Sequence, residues 1–277
     1  MGIQQSALLG GHPEGFAATA RTDRWWVGAA ATLVVLSAFS VYATWAALQG
    51  QHYYASPYLS PFYSPVLFTW LEAPGAAPLW HAWFGTWPAW WPDRVPASPA
   101  FLILMFPGAF RFTCYYYRKA YYRAFAGSPP GCAVVPFAKG RREYKGETGL
   151  LLFQNLHRYA LYFALVFVVV LYYDAYQGFF RDGVFGVGVG SVILLLNATL
   201  LAGYTLGCHS LRHLVGGRDD CMSCGEATVK LRLWKAGTWL NIRHARFAWV
   251  SLFVVGLTDA YVRMVSMGIL VDLNTWD

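Results

Sequence analysis

The sequence predicts an all-α integral membrane protein, a five-helix transmembrane bundle with its N-terminus in the cytoplasm and its C-terminus outside. Of the 277 residues, 57% are hydrophobic and only 13% are charged, a balance typical of membrane proteins rather than soluble domains. The apolar stretches are long enough to cross about 30 Å of hydrocarbon. Basic and nearly uncharged loops alternate between them, which assigns each loop to a side of the membrane.

The chain divides into a cytoplasmic tail, residues 1–24, and a single transmembrane domain, residues 25–277. The five helices are predicted at about 25–48, 99–125, 150–174, 188–214 and 241–269. Pro107 should kink the second helix. Residues 50–98, rich in Trp, Tyr and Pro, are predicted to form an aromatic loop folded back onto the outer interface.

The charges and cysteines narrow the class further. The formal net charge is +7, but the basic residues lie beside apolar stretches, as in cytoplasmic membrane-flanking loops, so we expect no nucleic-acid partner. The first 25 residues lack the apolar core of a cleavable signal peptide. All five cysteines fall on segments predicted to be cytoplasmic: Cys114, Cys132, Cys208, Cys221 and Cys224. A disulfide framework is therefore not expected, and metal or redox chemistry is the better hypothesis.

The stretch from Phe110 to Arg123 is unusually polar for the end of a membrane helix. One helical face would carry Arg111, Cys114, Tyr115, Arg118 and Tyr122. Such groups are costly at membrane depth unless they face protein, a cofactor or a polar head group. A belt of Tyr and Arg at the membrane interface explains the outermost residues equally well. For the deeper Arg111 and Cys114, a site is the preferred interpretation.

Four candidate ligands fall at a similar depth near the cytoplasmic ends of four predicted helices. They are Cys114, His157, Cys208 and His244. At about 1.5 Å rise per residue, their side chains could lie in one layer. Two thiolates and two imidazoles match the ligation of a Rieske-type [2Fe–2S] cluster. Zinc could use the same ligands, although structural zinc is usually held by closely spaced pairs on loops.

The sequence does not decide which histidines would be the two imidazole ligands. His209 and His213, spaced i, i+4 beside Cys208, compete with His157 and His244. Taken alone, a histidine at a helix end is often a capping or head-group contact, and a buried cysteine is usually a small apolar residue. A shared cofactor explains why all four residues lie at one depth better than four separate structural roles do.

Another cysteine pattern lies in the loop after the fourth predicted helix. Cys221 and Cys224 form a C-x-x-C motif, a metal half-site pattern, but no second pair lies nearby in the sequence. Metal binding there is the less favoured alternative, and Cys132 is a weaker candidate still.

Several of these motifs resemble one family. Phe110-Arg111-Phe112-Thr113-Cys114-Tyr115-Tyr116-Tyr117-Arg118-Lys119-Ala120-Tyr121-Tyr122-Arg123 is similar to the single membrane-anchor subunit of a heme-free class of bacterial succinate dehydrogenases. Supporting matches are Ser128-Pro129-Pro130-Gly131-Cys132-Ala133-Val134, Gln154-Asn155-Leu156-His157-Arg158-Tyr159, the segment from Cys208 to His213, and Asn241-Ile242-Arg243-His244 leading into Ala248-Trp249-Val250-Ser251-Leu252-Phe253. The resemblance covers roughly residues 99–268, and its first motif is quite specific.

The resemblance implies a membrane anchor of respiratory complex II in the bacterial cytoplasmic membrane. It implies a flavoprotein subunit and an iron–sulfur subunit docked on the cytoplasmic face, a Rieske-type [2Fe–2S] cluster held in the membrane, and quinone reduction nearby. The ligand numbers come from the depth argument and not from the family. The chain lacks the C-x-H…C-x-x-H pattern of soluble Rieske domains, so we expect no such domain.

We therefore expect an electron-transfer subunit of succinate:quinone oxidoreductase. Succinate oxidation belongs on partner subunits, because this chain has no dinucleotide fingerprint. Arg111 and Arg118 are expected to stabilise the negative charge that reduction adds to the cluster or the quinone. Candidate hydrogen-bond donors to quinone are Tyr115, Tyr122, Arg158 and His213.

Two alternatives stay open at this point. One is a heme b anchor of the same complex, with axial ligands drawn from His157, His209, His213 and His244. The mid-helix regions of predicted helices two to five contain no histidine, which argues against two stacked hemes. The other is a membrane scaffold or transporter in which these residues only pack. The quinone type, the direction of the reaction and assembly into a higher oligomer are not decided by the sequence.

Overall fold

A computed structural model describes residues 15–92, 94–137, 150–217, 221, 224 and 229–276. The helices are α1 (Trp26–Gln49), α2 (Pro99–Ile103), α3 (Met105–Thr113), α4 (Tyr115–Ala124), α5 (Leu150–Gln177), α6 (Val189–Leu206), α7 (His209–Gly216), α8 (Val229–Ile242) and α9 (His244–Ser266). Two small antiparallel hairpins pair β1 (Tyr54–Ala55) with β2 (Tyr58–Leu59) and β3 (Phe180–Arg181) with β4 (Val184–Phe185). The architecture is mainly helical, as predicted.

Four helices in the described part of the chain have the length and apolar composition to cross a membrane. They are Trp26–Gln49, Asn155–Gln177 within α5, Val189–Leu206 and His244–Ser266. The second predicted span is a shorter apolar segment, Pro99–Thr113, divided between α2 and α3. These spans support a multi-pass membrane protein, while the count of five crossings and the sides of the termini stay predictions.

The structure corrects the predicted helix boundaries at functionally suggestive places. The helix predicted over 99–125 is interrupted at Leu104 and again at Cys114. The first break lies one turn before Pro107, whose missing N–H cannot bond the carbonyl of Ile103. The helix predicted over 188–214 ends at Leu206, and a new helix begins after Cys208. The region predicted as a loop over 216–240 contains most of α8.

The chain forms two compact units, which divide both α1 and α5 between them. The first comprises residues 1–38 and 114–151, and the second comprises residues 39–113 and 152–277. In the second unit α6 and α9 pack extensively against each other. Small side chains on these helices, Ala198, Ala202 and Ala248, are buried and allow the close approach.

Residues 50–98 are more than an interfacial loop, because they add a core of their own to the second unit. Tyr53 and Tyr63 are buried and stack with their ring centroids 4.2 Å apart. The Tyr63 hydroxyl donates to the Ala46 carbonyl at 2.6 Å, which fastens the segment to α1. The exposed rings of Trp80, Trp83 and Trp90 fit the predicted aromatic outer surface.

A buried ion pair links this segment to α9. Asp259 and Arg263, spaced i, i+4 on α9, form this pair at 3.4 Å between Oδ2 and Nε, with side chains 0% and 4% exposed. Tyr42 and Ser60 also donate to the Asp259 carboxylate, and the Arg263 guanidinium donates to the Gln51 carbonyl at 2.9 Å. Removing one charge would leave the other buried without its counter-ion, which is strongly unfavourable.

We predict that Arg263→Gln lowers the free energy of unfolding by about 3–5 kcal/mol, because it leaves the Asp259 carboxylate uncompensated. The double variant Asp259→Asn with Arg263→Gln should lose less than the single variant, since no net charge is stranded. The measurement is the thermal unfolding of the purified complex in detergent. Arg232→Gln, an exposed position on α8, is the matched control and should unfold as the parent does.

Candidate redox site

Two helix interruptions place cysteines at the start of short helices. Cys208 lies between α6 and α7 with φ −66° and ψ 138°, and Cys114 begins α4 with φ −62° and ψ 127°. Both thiols are buried, at 2% and 3% exposure. The first N–H groups of a helix carry partial positive charge, which stabilises a thiolate or an anionic cofactor. The two predicted cysteine ligands therefore share one backbone setting.

His157 and Cys208 are in direct contact inside the second unit. The Nε2 atom of His157 lies 3.0 Å from the Sγ atom of Cys208. The Nδ1 atom of the same ring lies 2.9 Å from the Thr113 hydroxyl, and the ring stacks on Phe110 at 4.6 Å. Thr113 thus fixes the ring with Nε2 directed at sulfur, which is how a supporting hydrogen bond orients a metal-binding imidazole.

His244 joins the same cluster through aromatic contacts. It is the first residue of α9, after the break at Arg243. Its ring stacks on Tyr204 at 4.8 Å, and Tyr204 packs edge-on against Phe110 at 5.4 Å. Two of the predicted histidines, His157 and His244, therefore flank one buried aromatic pair. The nitrogen of His157 is in contact with the sulfur of Cys208, and the imidazole of His244 belongs to the same packed group.

Arg111 provides the positive charge of this cluster. Its guanidinium donates to the Ala248 carbonyl at 3.1 Å and to the Ser251 hydroxyl at 2.9 Å. It also lies over the Tyr204 ring, 4.7 Å from the centroid. A guanidinium held this way stabilises negative charge that develops beside it in a low-dielectric site.

An apolar cavity adjoins Arg111 in the second unit. Its volume is about 200 Å³, and Arg111 is the charged residue in its lining. Phe110 and Tyr204 line it beside Arg111, and Phe62 and Leu171 also contribute to its lining. Such a cavity suits a planar, mainly apolar ligand with a polar group facing the guanidinium.

A polar clamp stabilises the break before Cys208. The Asn241 amide donates to the Gly207 carbonyl at 2.8 Å, and Arg212 donates to the Asn241 side chain at 3.3 Å. A Cβ atom on Gly207 would meet the Leu240 backbone at 3.1 Å, so glycine permits this close approach of α6 and α8. The clamp replaces a helical hydrogen bond that the break removes.

The remaining predicted ligands differ in their surroundings. His209 and His213 are both exposed and contact each other with ring centroids 4.7 Å apart, whereas His157 is 7% exposed. Partial burial of the His209 ring, followed by the charges of His213 and Arg212, lowers the pKa of His209. The structure thus favours His157 over this pair as the partner of Cys208. Cys114 lies in the first unit, and its role as a ligand stays a prediction.

The predicted quinone residues are dispersed. Arg111 belongs to the buried cluster, as described above. In the first unit the Arg118 guanidinium lies over the Tyr115 ring at 5.2 Å, and Tyr115 and Tyr122 are 68% and 54% exposed. Arg158 is exposed on α5. Of this set, the structure brings Arg111 to the cavity.

The other cysteines do not extend the candidate site. Cys221 and Cys224 form a disulfide, so the expectation of reduced cysteines fails there and their thiolates are not available to a metal. Cys132 is exposed. Within the described residues, no group of three or more His, Cys, Asp or Glu side chains is close enough to hold a metal ion. The thiol of Cys208 and the imidazole of His157 are donor types that fit an iron–sulfur cluster, and they are in contact with each other.

Sequence reasoning missed the residues that support the candidate ligands. These are Thr113, Phe110, Tyr204, Ser251 and Asn241. Tyr204 gave a usable signal, since it is the phenol near the end of an otherwise apolar helix. Thr113, Ser251 and Asn241 are common residues in membrane helices, and only their contacts distinguish them.

The fold and the cluster define an integral membrane protein with a buried thiol and imidazole and a half-buried guanidinium group near one end of its helices. Residues 27–268 match the family model described as actinobacterial succinate dehydrogenase subunit SdhC, and the chain belongs to this family. It is therefore a membrane subunit of succinate dehydrogenase, a multi-pass protein of the bacterial inner membrane.

A solved structure gives a second comparison. A chain of the Mycobacterium smegmatis Sdh1 complex in the apo form is similar, with 41% sequence identity and a TM-score of 0.80. The match covers 94% of each chain. A comparison with curated proteins finds no match.

We predict that Gly207→Ala destabilises the protein by about 1–3 kcal/mol, because the added methyl would meet the Gly203 carbonyl oxygen at 2.8 Å and the Leu240 backbone at 3.1 Å, which strains the clamp. The midpoint of thermal unfolding of the complex measures the change. Gly237→Ala on α8 is the matched control, since its Cβ would meet only the Arg212 Cγ atom at 3.6 Å. Equal stability of the two variants would contradict the close-approach argument.

Proposed function

We propose that this chain is the electron-transfer anchor of succinate:quinone oxidoreductase, with a Rieske-type [2Fe–2S] cluster held by Cys208, His157, Cys114 and His244. The observation that carries the proposal is the 3.0 Å contact between His157 Nε2 and Cys208 Sγ, beneath a helix break. When bound, such a cluster supplies one-electron transfer between a docked iron–sulfur subunit and membrane quinone. Succinate oxidation takes place on a flavoprotein partner.

The ligand set follows from the backbone and the supporting contacts. Cys208 would bind as thiolate at the start of α7, where the helix N-terminus favours negative charge. His157 would bind through Nε2, because Thr113 engages Nδ1. His244 starts α9 and would be the second imidazole. Cys114, in the equivalent position at the start of α4, would be the second thiolate.

Arg111 is the residue that we assign to quinone. It lines the apolar cavity and stands over Tyr204, which stacks on His244. One quinone carbonyl would accept a hydrogen bond from the guanidinium, and the apolar walls would hold the ring and exclude water. The guanidinium would also favour the carbonyl oxygen as it gains negative charge. Tyr115, Arg118, Tyr122 and Arg158 stay secondary candidates.

The proposed ligands are tested by electron paramagnetic resonance on the complex reduced with dithionite. His157→Ala and Cys208→Ser should each abolish a rhombic signal of low average g, while His213→Ala should retain it. Succinate oxidation with an artificial dye, which needs only the partner subunits, should persist and shows that the complex is assembled. Persistence of the signal in His157→Ala and His244→Ala with loss in His213→Ala would overturn the ligand assignment. A heme Soret band would instead indicate a heme b anchor.

The quinone assignment predicts a separate kinetic effect. Arg111→Gln should lower kcat/KM for quinone reduction by about ten- to a hundredfold, the range expected for losing one charged hydrogen bond. The dye-linked activity should stay at the parent value. Ser251→Ala removes a protein partner of Arg111 and keeps the charge, so a loss of equal size there would indicate a structural role instead. Lys235→Gln, exposed on α8, is the neutral control.

A further inference from the structure

A second cavity lies in the first unit, apart from the candidate redox cluster. Its volume is about 580 Å³, and its lining comes from the start of α1, the end of α4 and the segments around Phe16 and Phe137. From these observations we propose that it binds the phosphate group and one acyl chain of an anionic phospholipid. The proposal is independent of the function proposed above.

Backbone hydrogen bonds hold together the two segments that carry the lining residues Phe16 and Phe137. The Ala17 amide donates to the Val135 carbonyl at 3.1 Å, and the Val135 amide donates to the Ala18 carbonyl at 3.0 Å. The Phe16 and Phe137 rings meet edge to face at 5.4 Å. The cavity is therefore bounded by a folded cap rather than by surface side chains alone.

Arg123 supplies the charge for a phosphate. It is the charged residue of the lining, and no carboxylate lines the described cavity to compete with an anion. Its described hydrogen-bond partner is the Cys132 sulfur, at 3.9 Å, a weak acceptor. Guanidinium N–H groups are well suited to phosphate oxygens, which they can bind in pairs.

The opposite side of the cavity is apolar and follows a membrane helix. Trp26, Ala29, Ala30 and Leu33 are spaced i, i+3, i+4 and i+7, so they share one face of α1. Only 6% of the apolar window of this helix is buried, which leaves its surface available to lipid. From Trp26 to Leu33 the helix rises about 10.5 Å, most of the roughly 15 Å depth of one leaflet.

The arrangement of charge and apolar surface selects the kind of lipid. Trp26 begins the span, where tryptophan usually marks the membrane interface, so Arg123 lies at head-group level. Arg24 precedes it and is exposed, and the whole chain carries a net charge of +7. A phosphodiester without a compensating ammonium, as in phosphatidylglycerol, gains from these charges, whereas free phosphate would not use the apolar face.

Native mass spectrometry of the delipidated complex, re-exposed to lipid, tests the proposal. The probes are phosphatidylglycerol and phosphatidylcholine, each in detergent micelles, and inorganic phosphate in the buffer. We expect phosphatidylglycerol to be retained at least about fivefold better than phosphatidylcholine, the preference given by one basic residue near a membrane surface. Arg123→Gln should remove this preference and Arg123→Lys should keep most of it.

A second variant tests the apolar side of the cavity separately from the charge of Arg123. Ala30→Phe fills the cavity from α1 and should reduce retention of phosphatidylglycerol although Arg123 is unchanged. Arg232→Gln on α8 alters the net charge equally but lies elsewhere, and it should bind as the parent does. Equal retention of both lipids by the parent complex, or full retention by Ala30→Phe, would overturn the proposal. Binding of inorganic phosphate alone to the same extent would also overturn it.

Discussion

Interrupting a helix inside a lipid bilayer leaves backbone N–H and C=O groups where water does not reach them. The break before Cys208, at the end of the apolar helix α6, meets this constraint. At this break the Gly207 carbonyl accepts a hydrogen bond from the Asn241 amide. Because Gly207 has no side chain, α8 can come close enough to provide that donor. The break leaves Cys208 in an extended conformation at the start of α7. The free N–H groups at this helix end favour a negative charge on its sulfur.

Polar groups in the second unit are used in two different ways. Asp259 and Arg263 neutralise each other and bind Tyr42, Ser60 and the Gln51 carbonyl. This network is closed, and it fastens residues 50–98 to α9. Around Arg111, by contrast, the guanidinium faces aromatic rings and an apolar cavity as well as the protein oxygens. A closed network suits stability, whereas a charge that borders a cavity suits chemistry with a ligand.

Sequence alone predicted the membrane class and four apolar spans that the structure contains, and it placed His157 and Cys208, which are in contact, at a similar distance from their helix ends. Those features follow from hydropathy and from fixed helical spacing. The breaks at Cys114 and Cys208 were not predicted, because no proline lies beside either cysteine and Gly207 was the only residue that suggested a change. The core formed by Tyr53 and Tyr63 was also missed, since it depends on contacts between residues distant in sequence rather than on a local pattern.

We propose that histidine nitrogens of this subunit bind iron. Pulsed electron paramagnetic resonance can observe that bond directly. The reduced complex would be prepared with ¹⁵N-labelled histidine in this chain only, by mixing labelled anchor with unlabelled partners during expression or reconstitution. We expect two strongly coupled imidazole nitrogens on one [2Fe–2S] signal. A cluster signal without any histidine coupling, or no iron assigned to this subunit, would contradict it.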